Sequence, residues 1–512
     1  MKKREINKTL NLSHEMGSCS VLWMTHDNYC SYEKHIISER IIFRDAIYDR
    51  AFGQGLKKKR SRPKLVAGVG QTIKSKVLEF RAYPDDEQKI LFWKTIGCKR
   101  LVWNKLLDER ITYAKEHEGE LLDTTPAHLK EDYSFLEEVD SMALCNVQLN
   151  LNQACSATFP KGKTPKFRKR GKDRKSYTTN YINNNIELTV KVIRDNNDPD
   201  KVANMDESEI RKNQVIECYL KLPKMGQLRI HLHRDIPTGW VIKNATLKET
   251  SGGRFYVSIG FDAIVDDVED LKEFEKVEAI DYSSTNLMVS YSGLFDILVE
   301  QLHWYRNLED RIAVEQRKLS RMVKGSNNYR KQCYKIGKLQ EKASDRRKDF
   351  HHKLSRLMAD MFDAVILEDI NLAEMARRLT SEEREKLIRA GMKPVNLGKA
   401  TLDNGFGMFR TMLAYKMRDL GKIPVKVDRF FPSSQLCSSC GYKNEAVKDL
   451  SVREWTCPEC GAHHDRDKNA CANLLQEGMK LLNRWASGNS SLMLNPQGFL
   501  SEKKPHLLQD GE

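Results

Sequence analysis

The sequence predicts a multidomain α/β chain with an added β-barrel and an inserted four-cysteine zinc ribbon. Three observations carry that reading. The stretch FDAVILEDI (362–370) is a continuous apolar run closed by two acids, as expected of a central strand buried on both faces. From NNIEL (184–188) to RFYVSIGFD (254–262) several short segments with turn residues between them read as strands, which fit the barrel that a family resemblance implies. Near the C-terminus, CSSCGYKNEAVKDLSVREWTCPEC spaces Cys437, Cys440, Cys457 and Cys460 as Cys-x2-Cys-x16-Cys-x2-Cys. That spacing makes two tight knuckles that bring four thiolates into a tetrahedron around one zinc ion. A site closed by four thiolates is structural. Two redox dithiols or disulfides are the alternative, and the doubled, matched spacing argues against them.

The chain has 512 residues, and Lys+Arg exceeds Asp+Glu by 86 − 71 = +15. That balance favours a polyanionic partner, most often nucleic acid. No apolar run is long enough to span a bilayer, and the polar, basic N-terminus lacks the apolar core of a secretory signal. The expected location is therefore cytoplasmic, with no membrane partner. Twelve cysteines, only four of them closely paired, fit a reducing compartment with one metal site.

Taken in order, residues 1–73 read as a polar extension. It contains the charge run LKKKRSRPK (56–64), and Cys19, Cys30, His14, His26 and His35 match no standard finger spacing. KSKVLEFRAYP reads as a strand ended by Pro84, followed by a helix with acidic caps and 3.6-residue periodicity. FPKGKTPKFRKRGKDRKSYTTNY (159–181) is the densest basic stretch. Lys166, Arg168, Lys169, Arg170 and Arg174 could neutralise phosphates there, while Phe167, Tyr177 and Tyr181 could stack on bases. Residues 193–214 read as a polar insertion among the strands.

KVEAIDYSSTNLMVSYSGLFDILV (276–299) reads as three antiparallel strands, with turns at Ser283–Asn286 and Ser292-Gly293. Asp281 stands at the end of the first. Two strongly basic helices joined at VKGSNN fill 301–360, and KIPVKVDRFFPSS reads as the last strand, leading into the ribbon. The ribbon exits through HHDRDKNACANLL, where Asp465 and Asp467 meet a helix start. His463 and His464 read as ordinary polar residues, and 486–512 as a loose tail. Each of Asp281, Glu368 and Asp467 could be a turn residue, a strand end or a helix cap. Together they form a carboxylate set able to hold divalent cations, and open α/β sheets place such sites at strand C-termini.

AIDYSS, VILEDINL and HDRDKNACANL resemble the three motifs of a RuvC-like nuclease of RNase-H fold. Residues 431–470, FPSSQLCSSCG through REWTCPECGAHHDRDKNA, resemble the C-terminal signature of the TnpB family of transposon-encoded, RNA-guided DNA endonucleases, which are related to type V CRISPR effectors. GCKRLVWNKLLD carries Gly97, Arg100, Trp103, Asn104 and Leu107 of a further family motif, with Trp in place of Tyr. Ser283 stands where the family often has Gly. The resemblance implies catalytic Asp281, Glu368 and Asp467 holding a pair of Mg²⁺ ions, one structural Zn²⁺, a guide RNA and a double-stranded DNA target. Arg100 and Asn104 join the expected nucleic-acid contacts. Asp467 is preferred over Asp465 because the family motif is Asp-x-Asn-Ala. The implied domains are the extension (1–73), the first strand of a wedge-like barrel (74–84), a helical recognition lobe (85–158), the rest of the barrel (159–272), the nuclease (273–430), the ribbon (431–464), the last nuclease helix (465–485) and the tail (486–512). A guided repressor that no longer cuts, an unguided structure-specific nuclease and a miniature CRISPR-associated effector remain alternatives.

Overall fold

The structure, a computed structural model, describes residues 20–24, 65–117, 122, 124–171, 174–195, 214–234, 236, 239–282, 287–291, 295–300, 302–389, 398–449 and 451–502. Cys19, Cys30, His14, His26 and His35 of the extension, most of the 193–214 insertion and the turns at 283–286 and 292–294 lie outside them. Two compact units divide the chain. One comprises 1–39, 268–318 and 339–512; the other comprises 40–267 and 319–338.

Strand β1 (Ser20–Met24) belongs to the first unit. The second unit is built on β2 (Gln71–Tyr83), β3 (Ser176–Asn180), β4 (Glu187–Asp195), β5 (Gln214–Leu222), β6 (Gly226–His231), β7 (Val241–Glu249) and β8 (Phe255–Asp266). They form one antiparallel sheet ordered β3-β7-β8-β2-β6-β5-β4. Among the described residues β3 and β4 remain its edges, so the expected barrel is an open, half-barrel sheet. Alternate residues point into its core: Phe80, Leu220, Leu228, Val257 and Ile259 are fully buried. Helix α1 (Asp86–Glu116) starts at a capping box. The Asp85 carboxylate accepts from the Gln88 amide at 2.8 Å, and the Gln88 side chain accepts from the Asp85 N–H at 3.2 Å. Its apolar face packs on α2 (Ser141–Thr158) through Val102, Leu106, Leu107, Val147 and Leu151, all buried.

The first unit holds β9 (Val277–Tyr282), β10 (Met288–Tyr291) and β11 (Phe295–Val299), the three antiparallel strands expected. Then come α3 (Arg306–Ser320), α4 (Asn327–Met361), which continues from the second unit, and β12 (Ala364–Glu368). Helices α5 (Gly398–Asn404) and α6 (Phe406–Arg418) lead to β13 (Ile423–Val427), then β14 (Glu454–Thr456), β15 (His463–Asp465) and α7 (Arg466–Ala486). Strands β16 (Leu492–Leu494) and β17 (Leu500–Glu502) follow. The main sheet runs β1-β11-β10-β9-β12-β13-β17-β16 and is mixed, with β9, β12 and β13 parallel at its centre. Ala364, Val365, Ile366 and Leu367 are fully buried, as a central parallel strand requires. Fully burying one such side chain contributes roughly 1.5–3 kcal/mol.

The tail reading needs correction. Residues 492–502 form a hairpin that extends the main sheet: Leu500 pairs in parallel with Val425, and Leu492, Phe499 and Leu500 are buried. The expected last strand, β13, is therefore interior. The segment is short and polar in its turn (NPQG), so no periodicity announced it.

Candidate active site

The register of the central strands levels the site. Leu367 pairs with Ile280, so Glu368 lies beside Asp281, and Glu368 pairs with Val427 on β13. Both acids close their strands at the C-terminal end. Helix α7 packs against β9, β10, β12 and β13 and brings Asp467 in its first turn to the same place. Asp281 feels the charge of both other acids. Burial, then the charges of Glu368 and Asp467, push the Asp281 carboxyl up to about 8. Burial, then neighbouring Asp369, push Glu368 up to about 7. Burial and neighbouring negative charge outweigh the nearby Arg466 at Asp281, the condition under which a carboxylate gains from a divalent cation. Among the described residues only the four cysteines, discussed below, form a set of three or more potential ligand atoms mutually within 4.8 Å; the carboxylates stand further apart.

Neighbouring acids are otherwise engaged. Asp465 is the N-cap of α7, its carboxylate accepting from the Lys468 N–H at 2.9 Å. Asp369 is 2.9 Å from Lys426 Nζ, a buried ammonium on β13. Asp467 is partly exposed and lies 3.6 Å from Arg453, an exposed pair of small energetic weight. Cys471, one turn beyond Asp467 on α7, is buried and donates to the Val289 carbonyl at 3.4 Å; burial first, then the Asp281 charge, raise its thiol well above the ordinary range. It is a neutral packing group.

Behind β9 lies a polar brace that sequence reasoning missed. The buried His351 donates from Nε2 to the Asn404 carbonyl at 2.7 Å, and the Asn404 amide donates to the Tyr282 hydroxyl at 3.2 Å. Tyr282 follows Asp281, so the brace fixes the strand end that aims the carboxylate. The basic, amphipathic pattern of α4 gave no sign that one histidine faces inward.

The ribbon meets its expectation. The Cys437–Cys460 and Cys440–Cys457 sulfurs are 3.6 Å apart, and all four lie within 4.8 Å of one another. A zinc ion with bonds of about 2.3 Å to four sulfurs sets them roughly 3.8 Å apart, so the cluster fits a structural zinc site. The knuckles are equivalent: Gly441 and Gly461 donate back to the Cys437 and Cys457 carbonyls at 2.8 and 2.9 Å, with φ of 78° and 71°. His464 is not the plain exit residue expected. It is buried, its Nε2 sits 3.0 Å from Cys437 Sγ, and its ring packs on Trp455. Burial raises the Cys437 thiol, but N–H groups of Cys440 and Ser439 and the His464 contact outweigh it and bring it to about 6. The ribbon is tied to α7 by side-chain amides. Asn469 and Asn473 donate to the Leu436 carbonyl at 2.6 and 2.7 Å, and Asn469 also accepts from the Ser438 N–H at 3.0 Å. Two asparagines one turn apart on an otherwise apolar helix face were the available signal.

In the second unit the basic loop is pinned by the motif on α1. The Asn104 side chain accepts from the Arg168 N–H at 2.8 Å and donates to its carbonyl at 3.1 Å. Trp103 donates to the Lys166 carbonyl at 3.2 Å, and the Arg168 guanidinium lies 3.7 Å from the Trp103 ring centroid. Asn104 therefore positions the loop through the Arg168 backbone, a role its reading as a nucleic-acid contact did not include. Tyr177 is also corrected: it is 3% exposed and packed in the sheet core, its hydroxyl against Met225, so it cannot stack on a base. Lys166, Phe167, Lys169, Arg170 and Arg174 are exposed. Arg100 is half-buried on α1.

A family profile described as "Probable transposase" (OrfB of IS605) matches residues 262–379, and one described as the Cas12f1-like TNB domain matches 406–474. A Streptomyces pristinaespiralis protein named "Putative RNA-guided DNA endonuclease" is 30% identical over 415 residues, 79% of this chain and 89% of that protein. The chain belongs to the IS605 OrfB (TnpB) family. An Escherichia coli relative, InsQ, carries the same descriptive name and is 28% identical over 51% of this chain and 62% of its own length. A structure of a Cas12f1–sgRNA–target DNA complex aligns with 79% of this chain and 99% of that chain at 12% identity, with a TM-score of 0.46. A third profile, described as a helix-turn-helix domain, covers 74–119. In this TnpB-family chain that span is a strand followed by one continuous 31-residue helix.

Proposed function

We propose that the protein is an RNA-guided DNA endonuclease whose first unit is a RuvC-like nuclease of RNase-H fold, with the second unit serving as wedge and recognition lobe. The observation that carries the reading is the level placement of Asp281 and Glu368 on adjacent parallel strands, with Asp467 delivered beside them by the helix that leaves the ribbon. All three offer hard oxygen donors, and the repulsion that Asp281 feels from the other two suits the set to hold a pair of Mg²⁺ ions. When bound, such ions activate water and stabilise the charge that develops on a phosphodiester. The chain's own part is positioning. The C-terminal ends of β9 and β12 fix two donors, the His351–Asn404–Tyr282 brace holds the first strand end, and the amide contacts of Asn469 and Asn473 fix α7 against the ribbon. Pairing with the guide would read the sequence, and protein contacts would read backbone and shape.

The test is plasmid cleavage with protein carrying either of two unrelated guides. Cut positions should follow the guide, and Asp281→Ala, Glu368→Ala and Asp467→Ala should each abolish cutting while leaving nucleic-acid binding near wild type. Asp465→Ala, which loses only a cap worth about 1 kcal/mol, should still cut. Identical cuts with both guides would leave an unguided nuclease. Binding without cutting by the wild-type protein would leave a guided repressor. A readout apart from cleavage is the melting temperature: Mg²⁺ should raise it in the wild type and fail to do so in Asp281→Asn.

A further inference from the structure

We propose that Arg429 and Phe430 form a platform that takes an unpaired nucleotide next to the scissile phosphate, the ring stacking on its base and the guanidinium facing its phosphate. The inference rests on the nuclease reading above and names the form in which the substrate reaches that site. It begins from a turn. Strand β13 ends at Val427, level with Glu368, and the Asp369 N–H donates to the Val427 carbonyl at 3.0 Å. The chain then folds tightly. The Phe430 N–H donates to the Asp428 carboxylate at 2.8 Å, and the Phe431 N–H donates to the Asp428 carbonyl at 3.0 Å. This turn separates two consecutive phenylalanines. Phe431 is drawn against the core formed by Val425, Val427 and Leu474, whereas Phe430 is 83% exposed.

Single exposed apolar side chains are common and need no explanation by themselves. Phe430 differs in three respects. It stands three residues beyond the position beside Glu368, on the catalytic edge of the sheet. Its backbone is held by the Asp428 contacts, so the ring is presented from a fixed turn. The Arg429 guanidinium lies 5.4 Å from its ring centroid, which pairs a flat apolar face with a cation. An aromatic face and a cation together suit a nucleotide: the ring supplies a stacking surface for any base, and the guanidinium answers its phosphate. A base inside a duplex has both faces covered by its neighbours, whereas an unpaired nucleotide offers this ring an open face. The platform therefore holds an unpaired nucleotide at the cutting site and is indifferent to base identity.

The experiment uses the full-length protein with its copurifying RNA and a single-stranded oligodeoxynucleotide complementary to the guide segment of that RNA. Phe430→Ala should slow cutting about tenfold, the scale of removing one base stack. Phe430→Trp should remain within about twofold of wild type, and melting temperature and zinc content should be unchanged in both. In Glu368→Gln protein, 5-iododeoxyuridine placed beside the cut position should crosslink on irradiation to the peptide carrying Arg429 and Phe430. Wild-type protein that cuts no DNA would overturn the nuclease reading and this inference with it. Wild-type cutting that Phe430→Ala leaves unchanged, slowing that Trp does not rescue, or a crosslink that maps elsewhere would overturn the platform alone.

Discussion

At the scale of single residues, burial separates groups that the sequence could only name. Asp465 and Asp467 are two positions apart and chemically identical, yet one caps a helix and the other faces Asp281. The family motif prefers Asp467, and the cap geometry shows what Asp465 does instead. His351 shows the reverse, a residue with no motif whose burial gives it a role. Burial holds its imidazole down to about 4, against the partial support of the Asn404 carbonyl. An unfolded histidine takes up its proton near 6.5. Between those values the unfolded chain binds more protons at this site than the folded one, so the histidine's contribution to stability falls as pH drops from about 6.5 toward 4 and is flat above. His351→Gln should keep a hydrogen bond to the Asn404 carbonyl and lose this dependence. Melting curves from pH 7.5 to 4.5 should therefore show a shallower acid slope for the variant, with the two proteins diverging only below pH 6.5. Parallel curves would mean that His351 is not the titrating group.

At the scale of elements, the central strands, the two basic helices and the ribbon were legible because each has a strong pattern: an unbroken apolar run, 3.6-residue periodicity, or doubled Cys-x-x-Cys. The hairpin at 492–502 was not, because three-residue strands have no period to read. Nor was the inward turn of Tyr177, since a basic stretch with aromatics looks the same whether a ring faces core or solvent. The packing of α7 was also hidden, though a glycine marked it. Gly478 sits in the helix interior, where Ala would ordinarily be favoured by about 1 kcal/mol. A Cβ there would lie 2.3–2.6 Å from three side-chain atoms of Ile366 on β12. Gly478→Ala should therefore destabilise the first unit by about 1–3 kcal/mol and displace the helix that carries Asp467. Pairing it with Ile366→Val should recover part of that stability, and a double-mutant cycle in denaturant measures the coupling. For the ribbon, purified protein should hold about one zinc per chain, and Cys437→Ser should release it. His464→Phe should retain the metal but yield it faster to a chelator, because no ring nitrogen then supports Cys437 Sγ. Zinc content near two would instead point to a second site outside the described residues.

At the scale of the whole molecule, a surplus of fifteen positive charges favours a polyanionic partner, without saying where it would bind. The basic loop gives that surplus one location. Its backbone is clamped at Lys166 and Arg168 by Trp103 and Asn104, so Lys166, Lys169 and Arg170 are held out from a fixed base rather than from a free tether. A clamp of this kind lowers the ordering cost of binding, since the loop is arranged before the nucleic acid arrives. Two variants separate charge from arrangement. Replacing Lys166, Arg168, Lys169 and Arg170 together by Gln should weaken RNA loading and reduce the salt slope of log K by up to about 3, at roughly 0.7–0.9 for each phosphate no longer neutralised. Asn104→Ala keeps every charge. It should weaken loading as well, with the slope nearly unchanged, because the same phosphates are neutralised after a larger entropic cost. Filter binding of the copurifying RNA across a series of salt concentrations reads both quantities. A quadruple variant with wild-type slope would show that the loop touches no phosphate, and an Asn104→Ala protein that loads normally would show that the clamp serves the fold alone.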